Sequence, residues 1–156
     1  MRRPQFLLAL ALLVLAPPVE ALTCSVVALT PVAFGAYDPT SPSPRVGTGR
    51  ITLGCQDVAA ADMLQVSLSA GGAASVSRRR MTSATSRGIL RYNLYLDPAR
   101  TRVWGDGTAG SVWRLASPHP AFAHTRFVVP VYAAVTAAQN VPAGAYGDTI
   151  VVTLIY

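Results

Sequence analysis

The sequence predicts an all-β protein, a sandwich or barrel of short strands, and three observations lead to this class. The chain after residue 21 is rich in Val, Thr, Leu, Tyr and Ala. Gly, Pro, Asp or Ser interrupts it about every 8 to 15 residues, a spacing typical of sandwiches and barrels. Helix signals are nearly absent, apart from one helical turn expected at Val58–Asp62.

The interruptions divide the chain into seven candidate strands. In chain order they are Ser25–Phe34, Gly49–Cys55, Met63–Ser69, Gly88–Leu96, Ser111–Leu115, Arg126–Thr136 and Asp148–Tyr156. The breaks include YDPTSPSPRVG after the first strand, AGGA after the third, DPAR and GDGT after the fourth, and PAGAYGD before the last. No internal repeat or linker divides the chain, so we expect one domain over residues 22–156.

The fourth strand shows the two-residue period most clearly. Tyr92, Leu94 and Leu96 alternate with Asn93 and Tyr95, which places the two sets on opposite faces of a sheet. The stretch YNLYLDPARTRVWGDGT, of which this strand is the beginning, is therefore predicted to be a scaffold hairpin whose polar residues serve turns and surface.

The last strand, in DTIVVTLIY, is apolar on both faces. One face carries Ile150, Val152, Leu154 and Tyr156, and the other carries Val151, Thr153 and Ile155. A strand with two apolar faces is predicted to be central in its sheet rather than an edge facing water. The chain given ends at Tyr156 without a polar tail, which raises the question of what completes the sheet around this strand.

Two aspartates in the hairpin are the nearest approach to a catalytic pair. Asp97 precedes Pro98, and Asp106 lies between two glycines, which are placements typical of turns. We therefore prefer a structural role over the paired carboxylates of a glycosidase. No Gly-x-Ser-x-Gly elbow accompanies His119 or His124, and no phosphate-binding loop is present. We predict a binding or assembly module that is not an enzyme and has no cofactor.

The first residues are predicted to be a secretory signal peptide over residues 1–21. Arg2 and Arg3 precede an apolar run of eleven residues, Phe6–Ala16, and Val19–Ala21 provides small residues for cleavage. The run is shorter than the roughly 20 residues that span a membrane. We expect an exported protein without a membrane span.

The two cysteines of the exported chain, Cys24 and Cys55, are predicted to form a disulfide, which is the usual state of such a pair in an oxidising compartment. A zinc site would need His119 and His124 as further ligands, from a loop rich in proline. Lipid attachment at Cys24 fits its preceding residues poorly. The disulfide is the preferred alternative.

The charge of the exported chain is +5, from eleven arginines and six aspartates. This balance could suit nucleic acid or an anionic cell surface. However, the arginines are scattered except for Arg78–Arg80, which we interpret as a solvated loop, and no aromatic series accompanies them. We expect no nucleic-acid partner. Trp104 and Trp113 could contribute to surface binding, although a tryptophan in a sandwich more often belongs to the core.

The motifs taken together resemble the spore coat protein U domain, which is also the fold of subunits in archaic chaperone–usher pili. The hairpin stretch resembles the central signature of that family, through Tyr92, Asn93, Tyr95, Asp97, Trp104 and Gly105. CSVVALTPVAFGAYDP, GRITLGC, SRRRMTSATSRGILRYNLY and PAGAYGDTIVVTLIY are similar to its other conserved stretches, in order. The resemblance covers essentially all of the exported chain.

This resemblance implies an immunoglobulin-like sandwich that lacks its final strand and is completed by a donor strand. It implies export through the periplasm of a Gram-negative bacterium to the cell surface, with a periplasmic chaperone, an outer-membrane usher and other pilus subunits as partners. Ile150, Val152 and Leu154 would line the acceptor groove together with the first strand, and Tyr156 would be the docking point of the chaperone.

One departure from the family pattern concerns the donor segment ahead of the first cysteine. Cleavage after Ala21 leaves only Leu22 and Thr23 before Cys24, too short to fill a neighbour's groove. We therefore expect a subunit that accepts a strand but donates none, at the fibre tip or as a minor subunit, serving adhesion or biofilm formation. The alternative is a self-sufficient secreted spore-coat or matrix protein of the same fold.

Overall fold

The computed structural model describes residues 21–59, 61–118 and 124–156, and in these ranges the protein is all-β, as predicted. The predicted signal peptide therefore lies almost wholly outside the described residues, as does His119. The strands are β1 Thr23–Thr30, β2 Arg45–Gln56, β3 Leu64–Leu68, β4 Arg80–Thr82, β5 Ile89–Tyr95, β6 Arg114–Ala116, β7 His124–Val135 and β8 Val152–Ile155. A short 3-10 turn, Val76–Arg78, precedes β4.

The larger sheet has five antiparallel strands in the order β1-β2-β7-β5-β4. Its centre is the long pair of β2 and β7, which runs from Arg45 opposite Val135 to Gln56 opposite His124. At its edge, Cys24 of β1 lies opposite Cys55 of β2, and the predicted disulfide joins them. The covalent bond thus attaches the edge strand β1 to the centre of the sheet.

The smaller sheet has three strands in the order β6-β3-β8 and faces the larger one. Between the two sheets lie the buried side chains that form the core, among them Ile51, Leu53, Leu64, Val66, Leu68, Leu90, Leu94, Trp104, Val129, Val131 and Val135. The core is made of alternate residues from both sheets, as the period of β-strands requires.

The segment around Trp104 joins the two sheets along one side. The Trp104 amide donates to the Leu94 carbonyl of β5 at 2.9 Å, and the Leu68 amide of β3 donates to the Gly105 carbonyl at 3.2 Å. The Trp104 ring is fully buried, and its Nε1 donates to the Val66 carbonyl at 2.9 Å. Trp104 is therefore a core residue with a satisfied polar atom.

Each of the seven predicted strands exists, with different ends. The first ends at Thr30, not Phe34, because Pro31 has no amide to continue the ladder. The second begins earlier, at Arg45, because β7 is long enough to pair with it. The three-residue strand β4 was missed, since it is too short to show a period.

The prediction that the last strand is central was wrong. In the part of the chain that the structure describes, β8 pairs with β3 alone and forms an edge of the smaller sheet. It begins at Val152 rather than Asp148. It is therefore an edge strand with two apolar faces, and its far side has no partner among the described residues.

Candidate functional site: an open groove between the sheets

The two strands that border the open side of the sandwich are β1 and β8. Each is the outermost strand of its sheet, and in the described residues each pairs with one neighbour only. Edge strands present a row of unpaired amides and carbonyls, which natural proteins usually cover or shorten. Here the strand β1 extends over eight residues, and it is exposed at every position except Cys24.

A cavity of about 970 Å³ opens between these edges and reaches the core. Its floor includes buried side chains of both sheets, Ile51, Leu94 and Val131 from the larger one and Leu68 from the smaller one. In a finished sandwich such residues are covered on all sides and packed like a crystal. The groove therefore leaves the interior of the domain open along one side.

The walls of the groove are mostly apolar. Leu29 at the end of β1 is 60% exposed, and Val32 and Phe34 follow it along the same wall. On the opposite wall the structure places Ile150 and Val152, both half-buried. Apolar surface left in water costs roughly 25 cal/mol per Å², so an apolar occupant of this groove gains free energy.

Two further residues predicted for this site lie beyond the cavity. Leu154 points to the same side of β8 as Val152 and packs against the core, yet it is not among the residues that line the cavity. Tyr156 follows the end of β8 and is 55% exposed. The structure thus brings together Ile150 and Val152, with Leu154 next to them and Tyr156 outside.

The backbone of β8 also faces the groove. The Ser69 amide donates to the Val151 carbonyl at 3.0 Å, and the register continues with Thr153 opposite Ser67. Because antiparallel partners alternate, the amides and carbonyls of Val152 and Leu154 point away from β3. These groups are oriented to form a ladder with one more strand.

A polar pair holds the segment that leads into β8. The Tyr92 hydroxyl donates to Asp148 Oδ2 at 2.7 Å, while Asp148 Oδ1 accepts from the Gly72 amide at 2.9 Å. Burial raises the pKa of Tyr92 well above its ordinary value, and the hydrogen bond to Asp148 raises it further. Tyr92 therefore stays protonated and fixes the approach of β8 to the larger sheet.

The opposite side of the sandwich is closed by a buried arginine. Arg79 is fully buried, and its guanidinium donates to the carbonyls of Leu68, Ser69 and Trp104 and to Asn93 Oδ1, at 2.7 to 3.1 Å. Burial lowers the pKa of Arg79 from its ordinary value. Five hydrogen bonds from one side chain connect β3, β5 and the Trp104 segment.

The interpretation of Arg78–Arg80 as a solvated loop was therefore wrong for its middle residue. Arg78 and Arg80 are exposed, but Arg79 is a core residue. The expectation that the polar hairpin residues serve only turns and surface was likewise wrong for Asn93. It is buried, and its Oδ1 also accepts the Leu94 amide at 2.9 Å. The sequence does not show which residue of a charged run, or which polar residue of a hairpin, is buried.

The two hairpin aspartates hold loops, as predicted. Asp97 accepts from the amides of Thr101 and Arg102 and from the Thr101 hydroxyl, at 2.8 to 3.0 Å. Asp106 accepts from the hydroxyl and amide of Thr108 at 2.6 and 3.0 Å. These hydrogen bonds hold the pKa of each carboxyl below its usual range, the Thr101 amide contributing most at Asp97 and the Thr108 hydroxyl most at Asp106.

The other signature residues also support the scaffold. Tyr95 is half-buried, lies opposite Tyr132 of β7 and bridges to Val103. Gly105 has no room for a side chain, because a Cβ there would collide with Ser111. Packing against neighbouring segments therefore explains the residue type at both positions.

Within the described residues, no three His, Cys, Asp or Glu side chains are placed to hold a metal ion, and no helix is long and apolar enough to cross a membrane. Both cysteines are in the disulfide. Of the histidines weighed as zinc ligands, His119 and the side chain of His124 lie outside the described part.

Comparisons with known proteins give the family and the fold. The family model described as Spore Coat Protein U domain matches residues 10–153. "Protein U" of Myxococcus xanthus is 36% identical over 133 residues, covering 79% of this chain and 70% of that protein.

A solved structure shares the sandwich. It is a chain of the CsuC–CsuE chaperone–tip adhesion subunit pre-assembly complex, from the archaic chaperone–usher Csu pili of Acinetobacter baumannii. The TM-score is 0.59 and the identity 20%, covering 87% of this chain and 40% of that chain. At this identity the likeness concerns the fold, which agrees with the immunoglobulin-like sandwich that the family resemblance implied.

Proposed function

The chain belongs to the spore coat protein U domain family, and we propose that it is a structural subunit of a chaperone–usher fibre that accepts a donor strand. The groove between β1 and β8 carries this proposal. It is mostly apolar, opens onto the core and is bordered by strand edges with outward amides and carbonyls. Addition of a strand to such an edge is a known mode of peptide recognition.

The geometry of the groove specifies the occupant. A strand lying beside β8 would hydrogen-bond to Val152 and Leu154 and insert every second side chain between the sheets. Apolar residues at those alternate positions would cover Ile51, Leu68 and Leu94 on the floor. The donor is therefore an extended segment with apolar residues at alternate positions, supplied by a chaperone before assembly and by another subunit afterwards.

The route of export follows from the same proposal. The predicted signal peptide over residues 1–21 would lead the chain into the periplasm of a Gram-negative cell, where oxidising conditions favour the disulfide of Cys24 and Cys55. Tyr156, accessible beyond β8, is the proposed contact of the chaperone, and an usher would pass the subunit to the cell surface.

The position in the fibre is proposed from the predicted cleavage site. With cleavage after Ala21, Leu22 and Thr23 are the whole segment ahead of Cys24. A subunit of this kind accepts a strand and donates none, which suits the tip or a minor subunit with a role in attachment or biofilm formation. Mass spectrometry of the exported protein tests this, since a mature chain that retained about ten residues ahead of Cys24 would contradict it.

The groove itself is tested by a matched pair of substitutions on β1. Leu29 and Val27 are both exposed, at 60% and 44%, but only Leu29 lines the cavity. We expect Leu29→Asp to weaken capture of a donor strand at least tenfold, because a carboxylate would be buried beside the inserted strand. Val27→Asp should leave capture unchanged. The measurement is co-purification of the exported chain with a chaperone or neighbouring subunit encoded beside it.

Equal capture by both variants would exclude this groove as the acceptor. A wild-type chain that is a stable monomer, with a melting temperature unmoved by any donor, would favour the second candidate. That candidate is a self-sufficient coat or matrix protein, and the match to the Spore Coat Protein U domain supports it.

A further inference from the structure

A second concave site lies on the outer part of the signature hairpin. It is a cleft of about 610 Å³ between the loop that follows β5 and the segment that leads into β6. Its volume is in the range of pockets that bind small ligands, roughly 300 to 1,000 Å³. It shares no lining residue with the groove between β1 and β8, so its role is independent of strand addition.

An exposed tryptophan supplies one wall of the cleft. Trp113 is 41% exposed, whereas Trp104 is fully buried, so the two tryptophans have different roles. The six-membered ring of Trp113 rests against Gly107, where a Cβ would collide with it. Leu115, 57% exposed, extends the apolar surface. A flat aromatic surface fixed against the backbone is suited to packing against the C–H face of a sugar ring.

Two arginines supply the polar part of the cleft. Arg102 and Arg114 both line it. Arg114 Nε is buried and has no hydrogen-bond partner within the ranges that the structure describes. In the same ranges, the hydrogen bond that Arg102 donates comes from its backbone amide and none comes from its side chain. A buried N–H without an acceptor is unfavourable, and an oxygen-bearing ligand would supply the missing acceptor.

The nearby carboxylate does not neutralise these arginines. Asp97 also lines the cleft, but its two oxygens accept the amides of Thr101 and Arg102 and the Thr101 hydroxyl. Those bonds lower the pKa of Asp97, so it remains charged and committed to its loop. The cleft thus holds two cations against one anion, with guanidinium donors that match a carboxylate.

We propose that this cleft binds anionic saccharides whose sugar rings carry carboxylates. Trp113 would pack against the ring, and Arg102 and Arg114 would bind the carboxylate. A neutral sugar would leave the arginines without acceptors, and an anion without a ring would leave Trp113 exposed, so the combination favours an acidic sugar over either part alone.

The test uses the full exported chain and three polymers of matched length. Binding to polygalacturonate, dextran and dextran sulfate is measured by calorimetry, and the fluorescence of Trp113 is followed in parallel. We expect binding to polygalacturonate, none to dextran and weaker binding to dextran sulfate. Arg102→Gln and Arg114→Gln should each weaken polygalacturonate binding about tenfold, and Trp113→Ala should do the same. Trp113→Phe, which keeps an aromatic face, should retain most of the binding.

The matched control is Arg126→Gln, which removes one exposed positive charge from β7, away from the cleft. We expect it to leave binding unchanged. If Arg126→Gln weakens binding as much as Arg102→Gln, or if dextran sulfate binds as tightly as polygalacturonate, the attraction is only that of a positively charged protein for a polyanion. Either result, or a wild-type chain that binds no polygalacturonate, overturns the proposal. Far-UV circular dichroism of each variant separates loss of binding from loss of fold.

Discussion

One side of the sandwich is closed by the chain itself, and the other side is open. On one side Arg79 donates five hydrogen bonds to Asn93 and to carbonyls of β3 and the Trp104 segment, so the sheets are joined by polar contacts within the chain. On the other side β1 and β8 leave an apolar groove open to the core. The closed side is joined by contacts within the chain, and the open side is where the proposed donor strand would bind.

The two sides also differ in how much free energy a further contact would gain. Every donor of Arg79 Nε, Nη1 and Nη2 has an acceptor, so the closed side gains nothing from a further contact. In the groove, by contrast, Leu29 is exposed and Leu68 lies on the floor of a cavity. Substitutions on the closed side should therefore change the stability of the domain itself, and substitutions in the groove should change the affinity for a strand.

The largest effect is expected from the buried arginine. Arg79→Met removes the guanidinium donors of the Leu68, Ser69 and Trp104 carbonyls and one of the two donors to Asn93 Oδ1, and we expect the free energy of unfolding to fall by about 5 kcal/mol. The adjacent Arg80, which is exposed and whose side chain donates to the Gly72 carbonyl at 3.3 Å, provides the control. Arg80→Met should change stability by less than about 0.5 kcal/mol. Urea unfolding followed by tryptophan fluorescence measures both, and equal effects would contradict the role given to Arg79.

Removal of the disulfide should have the next largest effect. Cys24→Ser with Cys55→Ser frees the edge strand β1 and should lower stability by about 3 to 4 kcal/mol in the chain-entropy model. Because β1 is a wall of the groove, donor capture should weaken as well. Reduction of the wild-type disulfide should reproduce both losses, as measured by urea unfolding and co-purification. Unchanged donor capture would mean that β1 is not part of the acceptor.

A smaller effect is expected from the polar pair at the groove. Tyr92→Phe removes the hydrogen bond to Asp148 and should cost about 1 to 2 kcal/mol. The control is Tyr95→Phe, since no hydrogen bond of its hydroxyl is found in the described residues. Because the pKa of Tyr92 is raised by folding, its contribution is complete below the unfolded value near 10 and decreases as pH rises above it. The decline of the melting temperature above pH 10 should therefore be shallower in Tyr92→Phe.

The smallest effect concerns the loop aspartate of the hairpin. Folding lowers the pKa of Asp97, so its contribution is present above the unfolded value near 3.9 and is lost as pH falls below it. We expect the melting temperature to decrease between about pH 5 and pH 3, and Asp97→Asn to reduce that decrease slightly. An increase of stability on acidification would contradict the loop role of Asp97.

The sequence predicted the features that depend on local pattern and missed those that depend on contacts between distant segments. Strand alternation, the turn positions of Asp97 and Asp106 and the disulfide depend on neighbours close in sequence or on the compartment, and these predictions agree with the structure. The burial of Arg79 depends on carbonyls that come together only when β3 and the Trp104 segment meet. No local pattern contains that information.

The groove was foreseen from the family resemblance, but the pattern of β8 alone was misread. Two apolar faces on DTIVVTLIY indicated a central strand, and the structure places it at an edge. Under the proposed function the two observations agree, because a strand that another chain completes would have the composition of a central strand although it lies at an edge of its own sheet.

The most direct test of the groove is amide hydrogen exchange along β8, measured with and without a bound donor strand. The backbone amides of Thr153 and Ile155 point toward β3, so they should exchange slowly in both states. The backbone amides of Val152 and Leu154 point away from β3, toward the position of the donor. They should exchange rapidly in the free chain and become protected when the donor binds. If Val152 and Leu154 are already protected in the free monomer, the sheet is complete without a partner and the acceptor account is wrong.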